Sequence, residues 1–305
     1  MIAVLGSINL DFVASAIRLP ACGETVAGVK FDVFPGGKGA NQALACRRAG
    51  SQVMLCGLIG DDGHGERALT NLRETGVDLS LVTQTSGPSG IASIFVGNDG
   101  DNMIISIPGS NGRVGQREVD ALFQKVREGD ILVLQLEIPT EVIRVALKRA
   151  RDARVRVILN VAPYTSQAAE LVRMADVVVV NEKEMADLAR GEGLDTFCPR
   201  TLAKTIGPHP SQIFVVTRGK DGASAYQGDK VYEASAAQIT PVDTVGAGDA
   251  FVGYLANAIE EGLHVQWALE RASIAGSLAC LTPGAQTSVP SRLDVDRMLA
   301  EARKA

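Results

Sequence analysis

The sharpest chemical feature of the chain is Asp243-Thr-Val-Gly-Ala-Gly-Asp249-Ala-Phe, which opens a helical pattern running to about Glu261 and closing at Gly262. Small residues at Gly246, Ala247 and Gly248 let backbone N–H groups converge at the start of that helix. Those groups lack intrahelical partners, and the helix dipole adds roughly half a positive charge there. The result is an anion site without a cationic side chain. A carboxylate inside it, at Asp249, is placed to take a proton from an attacking hydroxyl. Read alone, the run is equally a flexible turn with a favourable first-turn acid.

Three further motifs carry polar chemistry. Pro35-Gly-Gly-Lys-Gly-Ala-Asn41 also enters a helix, with glycines that admit a ligand close to the backbone and Lys38 and Asn41 on the ligand side of the turn. It is not a Walker A loop, since no G-x-x-x-x-G-K-[ST] occurs in the chain. By itself it reads as a glycine-rich helix entry with Lys38 solvated. Ser7-Ile-Asn9-Leu-Asp11 follows the first strand, so Asn9 and Asp11 share one side of an extended segment. That pair suits a polyhydroxyl ligand, or an ordinary Asx turn. Asn181-Glu-Lys-Glu184 has capping-box spacing, a reading that coexists with a role near Mg²⁺-phosphate. Weaker signals are Thr217, Gly219 and Gly222 in a strand-to-glycine turn, Glu137 at a strand's end, and the carbonyl-rich loop Leu281 to Pro290.

These motifs need a frame that holds strand ends together. Short β-branched runs (Ile2–Leu5, Val53–Leu58, Ile131–Leu134, Val155–Leu159, Val177–Val180, Ile213–Thr217) alternate with amphipathic stretches (Lys38–Ala49, Gly65–Glu74, Thr140–Ala150, Glu182–Ala189). Apolar strands joined by helices predict an α/β fold with a parallel sheet covered on both faces. Such sheets bind ligands beyond the C-terminal ends of their strands. Residues 11–34 and 90–107 break the rhythm, and Asn98-Asp-Gly-Asp-Asn reads as a hairpin turn. They predict a small, discontinuous β-sheet lid on one domain spanning 1–305.

Bulk properties set limits. Of 305 residues, 46% are hydrophobic and 21% charged, and the net charge is −5, so nothing is built to neutralise a nucleic-acid backbone or an anionic membrane. Apolar runs are too short to span a bilayer, and the first residues read as a strand rather than a signal peptide. Five scattered cysteines and three scattered histidines argue against a disulfide framework or a zinc cluster. A cytoplasmic protein is expected.

Asn9-x-Asp11, Gly36-Gly-Lys-Gly-Ala-Asn41 and Asp243-Thr-x-Gly-Ala-Gly-Asp249 stand in the order and spacing of the ribokinase family, also called PfkB carbohydrate kinases. The chain resembles that family over essentially its whole length, up to Gly284-Ala-Gln-x-Ser-Val-Pro290. The resemblance implies a three-layer sandwich with a β-lid, and ATP-dependent phosphorylation of the primary hydroxyl of a neutral sugar, D-ribose first. It implies Asp249 as general base and Gly246, Ala247 and Gly248 as the anion hole. Asn9, Asp11, Gly37, Lys38, Asn41 and Glu137 would hold the sugar. Asn181, Thr217, Gly219 and Gly222 would contact ATP, and Glu184 would order water around Mg²⁺. Asp243, with carbonyls at Val245, Ala279, Thr282 and Gly284 and the Ser288 hydroxyl, resembles a K⁺ site. Family members pair through the lid into dimers. One departure is Ser106, where the family usually carries an apolar residue, while Ala92 and Ile94 on the facing strand stay apolar.

The alternatives are a kinase for another sugar, for a nucleoside or for a phosphorylated hexose, and a non-catalytic sugar binder. Asp249 within an intact Gly-Ala-Gly run speaks against a mere binder. One lysine among three acids, Asp11, Glu137 and Asp249, speaks against a phosphorylated substrate. A nucleoside base would need an aromatic platform, which Phe31, Phe34 and Phe95 in the lid segments supply.

Overall fold

The computed structural model describes residues 1–98, 101–194, 198–207 and 209–303. In chain order the strands are β1 (Ile2–Leu5), β2 (Asn9–Ala16), β3 (Gly28–Gly36), β4 (Val53–Ile59), β5 (Asp78–Gln84), β6 (Gly90–Gly97), β7 (Asn102–Ile107), β8 (Ile131–Leu134), β9 (Arg156–Asn160), β10 (Val177–Asn181), β11 (Ile213–Thr217), β12 (Ala223–Gln227) and β13 (Lys230–Ala234). Nine of them form one sheet in the order β13-β12-β11-β10-β9-β8-β1-β4-β5, parallel from β11 to β5 and antiparallel at the β12–β13 edge.

Alternate side chains of the central strands enter two separate cores. Ile2 and Val4 pack with helices Lys38–Ala49, Ala247–Glu260 and Val265–Ala279, while Ala3 and Leu5 pack with helices Gln116–Phe123, Thr140–Asp152 and Glu182–Gly191. This two-sided burial explains why the central strands are apolar throughout instead of alternating. The architecture is the expected three-layer sandwich. Among the described residues no helix is long and apolar enough to cross a membrane.

The remaining strands form a second sheet, β3-β2-β6-β7, from the two segments expected to be a lid. β6 and β7 pair as an antiparallel hairpin, although residues 99 and 100 of its expected turn lie outside the described residues. Chain direction joins the two sheets directly: β1 ends at Leu5 and β2 starts at Asn9, so one short link carries the chain from core sheet to lid. One predicted helix differs. Gly65–Glu74 is two short helices, His64–Ala68 and Thr70–Thr75, separated at Leu69.

Candidate active site

Strand ends and helix starts converge where the central sheet meets the lid. Gly246, with φ +81°, starts the helix Ala247–Glu260 in a conformation that favours glycine. A Cβ there would lie 2.7 Å from the Ala285 backbone, whereas one on Gly248 would meet nothing within 4 Å. The turn is thus packed tightly underneath and open above. Asp249 sits in the first helical turn, 7% exposed. Asn41 Nδ2 donates to its Oδ2 and Gln42 Nε2 to its Oδ1, both at 2.9 Å.

The opposite wall comes from the lid root and the β1 end. Asn111 Nδ2 donates to Asn9 Oδ1 at 2.7 Å, and Asn111 also pairs with the backbone of Ile8, fixing the link between sheets. Gly37, at φ +87°, lies so close to Ile8 and Asn9 that a Cβ would come within 2.7 Å of the Asn9 nitrogen. Glu137 Oε2 accepts from the Ser7 hydroxyl and from the Lys38 N–H at 3.1 Å. Three buried acceptors in this region have no protein partner: Asp11 Oδ1, Asn41 Oδ1 and Gln135 Oε1.

Charge follows from this packing. Burial, then the neighbouring carboxylates of Glu137 and Asp249, push the Asp11 carboxyl up to about 7, against the pull of Lys38. Asp249 does most to hold the Lys38 ammonium above the usual lysine range, with Glu137, Glu184 and Asp11 adding to it. Lys38 is not a solvated lysine. It lines a cavity of about 240 Å³ with Asn160, Asn181, Glu184, Thr217, Thr244, Gly246, Gly248 and Asp249.

Asn181 and Glu184 form the capping box, each side chain bonded to the other's N–H at 2.8 Å, and both still face that cavity. Burial raises the Glu184 carboxyl above the ordinary glutamate value, partly offset by the Asn181 N–H. Gly219 and Gly222 do not line the cavity; they shape the tight turn between β11 and β12, where Arg218 N–H donates to Gly222 O at 2.8 Å. Asp243 accepts from Val245 N–H at 3.0 Å and from Gly284 N–H at 2.9 Å, which ties the loop 281–288 to the turn before Gly246. Within that loop Ser288 Oγ donates to Ala285 O at 3.3 Å. Ala279 ends the preceding helix, and Thr282 is exposed.

Lid register decides which aromatics face the site. Phe34, Asp11, Ala92 and Ser106 form one cross-strand row, and directly paired side chains share a face. Phe31 and Phe95 both pair with Ala14, which is odd relative to Asp11 and therefore on the opposite face. Of the three phenylalanines considered as a base platform, only Phe34 is on the site side. Sequence reasoning also missed Gln42, Asn111, Gln135 and Asn160. The last two had a readable signal, since each is a polar residue at the C-terminal end of an apolar strand.

A glycine turn at a helix start, a buried carboxylate beside it and a cavity over the strand ends fit a phosphotransferase acting on an alcohol. Residues 1–292 match the pfkB family carbohydrate kinase domain, and the chain belongs to that family. It is therefore a carbohydrate kinase. It is 34% identical over 302 residues to a ribokinase of Bacillus subtilis, covering 98% of this chain and 99% of that one. It is 30% identical over 293 residues to a deoxyribokinase of Salmonella typhi, covering 95% of each. The structure of an Arabidopsis thaliana ribokinase complexed with ribose and ATP superposes with a TM-score of 0.83 at 31% identity, covering 98% of each chain.

Proposed function

We propose that this kinase, working in the cytoplasm as one catalytic unit over the whole chain, phosphorylates the primary hydroxyl of D-ribose with ATP. The observation that carries the mechanism is the buried Asp249 carboxylate, fixed through both oxygens beneath the open Gly246–Gly248 turn. The sugar hydroxyl lies against Asp249, which takes its proton as the oxygen attacks the γ-phosphorus. The new O–P bond forms as the bond to the β-phosphate oxygen breaks and ADP leaves. N–H groups at Gly246 and Gly248 receive the charge on the phosphoryl oxygens, as fixed dipoles that need no reorganisation, and that of Ala247 is shared with the Thr244 carbonyl at 3.3 Å. Asn181 and Thr217 in the cavity wall contact the nucleotide, and Gly219 and Gly222, in the turn that follows Thr217 outside that wall, contact the part of it that extends beyond the cavity.

The sugar end demands hydroxyl donors. Asp11 Oδ1 and Asn41 Oδ1 are buried acceptors without protein partners, and Asn9, Gly37, Lys38 and Glu137 complete the wall. A ligand lacking a matching hydroxyl leaves such groups unpaired and is rejected strongly. Three carboxylates facing one lysine disfavour a sugar that already carries phosphate. A single inward phenylalanine is a poor platform for a nucleoside base. The ribokinase and deoxyribokinase relatives frame the remaining choice, and a hydroxyl-demanding Asp11 favours ribose over 2-deoxyribose.

Two cations fit the residues present. Glu184 offers one carboxylate beside the phosphate cavity, the kind of site where Mg²⁺ keeps its waters and binds mainly to substrate phosphates. Asp243 with the carbonyls of Val245, Ala279, Thr282 and Gly284 and the Ser288 hydroxyl is an all-oxygen donor set suited to K⁺. Gly246 packs against Ala285 of the same loop, so a cation bound there would stiffen the anion turn.

A coupled ADP-release assay over ribose, 2-deoxyribose, fructose, a nucleoside and a hexose phosphate tests this reading. Ribose should give the highest kcat/KM, with faster turnover in K⁺ than in Na⁺ at matched ionic strength. A clear preference for another acceptor removes the ribose assignment; equal rates in the two salts remove the K⁺ site. Ser106 shares the row of Asp11 and Ala92, so Ser106→Ile should shift the ribose-to-fructose ratio. An unchanged ratio means that the lid departure does not bear on specificity.

The lid also points to self-association. Phe31, Phe95, Met103, Ile105 and Ile107 alternate onto the face away from Asp11, and Phe31 and Ile105 are 63% and 59% exposed. An apolar face of this kind marks a contact surface, and we assign it to a homodimer; a monomeric mass in solution would refute the pairing.

A further inference from the structure

The amides behind Asp249 form one chain with a fixed direction. Gln135 Nε2 donates to Gln42 Oε1 at 2.7 Å. Gln42 Nε2 donates in turn to Asp249 Oδ1 at 2.9 Å and to Asn160 Oδ1 at 3.0 Å. Asn160 then donates from Nδ2 to the Val179 carbonyl at 3.2 Å. An ionised carboxylate only accepts. Gln42 must therefore turn its nitrogen toward Asp249, which leaves its oxygen for Gln135 and obliges Gln135 to donate. The four residues come from two helices and the ends of β8 and β9, and Gln42 and Gln135 are fully buried.

We propose that Gln42 is a positioning residue for phosphoryl transfer, and that Gln135 acts through it. Together they clamp Oδ1 of Asp249, so that Oδ2, which Asn41 also holds, is the oxygen presented to the sugar hydroxyl. The inference rests on the reading of Asp249 as general base. Its physical ground is torsional: the carboxylate rotation of aspartate is broad and roughly two-fold, so the torsion alone does not hold the plane. Donors on both oxygens do. A second observation bears on the orientation of Gln135. Gln135 Oε1 is buried without a partner, pressed against Gly6, where an added Cβ would come within 2.0 Å of it. The oxygen is left unpaired, and the nitrogen stays aimed at Gln42.

The test compares Gln42→Met, Gln135→Met and Asp249→Asn with wild type, measuring kcat, sugar KM, sugar Kd without ATP, and thermal stability. Methionine keeps the chain length and removes the donor. Gln42→Met should lower kcat by about 10–100-fold, the range for losing a hydrogen bond to a charged group. Gln135→Met, one step further back, should lower it by roughly 3–10-fold. Sugar Kd should stay within about threefold in both, because neither residue touches the sugar in this reading. Added to Asp249→Asn, Gln42→Met should cost nothing further, as no carboxylate remains to be positioned. A folded Gln42→Met with kcat near wild type overturns the inference, as does a loss that adds fully to that of Asp249→Asn. So does a fall in kcat matched by equal losses of sugar affinity and stability, which is a packing effect. If Gln42→Met does not fold, an unchanged kcat in Gln135→Met overturns it. Retained turnover in Asp249→Asn would instead refute the base assignment, so the two failures are distinct.

Discussion

Asp249→Asn should reduce kcat by about 10²–10⁴-fold, the usual loss of general-base catalysis, while sugar Kd changes by less than about tenfold. The substitution keeps the size of the side chain and removes only its ability to take a proton. It also upsets the local donor pattern. Asn41 Nδ2 and Gln42 Nε2 both donate to the carboxylate, and an asparagine can accept from only one of them. The other walls of the proposed sugar site, Asn9 with Asn111 and Glu137 with Ser7, are bonded independently of residue 249. Loss of the charge should also ease ionisation of Asp11, because Asp249 is one of the groups that raise its pKa. Steady-state kinetics with calorimetric sugar titration checks both halves. Turnover within about threefold of wild type would show that the proton goes elsewhere.

The parts of the fold legible in the sequence are those fixed by one strong local rule. Ile131–Leu134 and Ile213–Thr217 are uninterrupted apolar runs, and they are strands with those bounds because both faces of the central sheet are covered. Lys38–Ala49 is a helix from its glycine entry to its glycine cap, Gly50 at φ +113°. Elements at or next to the sheet's two edges are harder to read. β5 carries Asp78, Ser80 and Gln84 on a half-exposed edge, and β12 is Ala-Ser-Ala-Tyr-Gln, too small and polar to stand out. The helix across 65–74 failed at Leu69, where the chain pauses between two short turns without glycine or proline to mark the break.

The site was legible where chemistry coincides with a turn, as at Gly246–Asp249 and Gly36–Asn41. It was not legible where a partner is remote. Gln42 lies next to Asn41 in sequence, yet its role appears only through Asp249, 207 residues away. Asn111 acts through Asn9 across 102 residues. The facing of Phe31 and Phe95 needed the strand register, because one residue of offset from Asp11 reverses the face. Motif spacing located the Asp249 carboxylate and the glycine turn before it; the amides that hold the carboxylate are brought to it by topology.

Asp11→Asn should weaken sugar binding and stabilise the ligand-free protein, with the balance set by pH. Asp11 is buried, and its carboxyl is pushed up to about 7, first by burial and then by Glu137 and Asp249. In the unfolded chain the carboxyl titrates near the ordinary aspartate value of about 3.9. Between those two values the folded state binds more protons than the unfolded one, so this residue lowers stability as pH rises through the window. Above pH 7 the full penalty applies, on the order of 4 kcal/mol. Asparagine removes it. The variant should melt several degrees higher than wild type near pH 8 and at about the same temperature near pH 4. Its function moves the other way. The ionised carboxylate accepts hydroxyl protons that an asparagine, with one oxygen, cannot fully match, and the loss should be about 10–100-fold in kcat/KM. Wild-type kcat/KM should fall below pH 7 as Asp11 takes up a proton in the free enzyme, and that limb should be missing from the variant. Melting curves at two pH values and a kcat/KM profile from pH 5.5 to 8.5 decide the matter. A variant less stable than wild type near pH 8, or one that keeps the limb, would show that burial does not hold the Asp11 carboxyl above the ordinary aspartate range and that another group governs sugar capture.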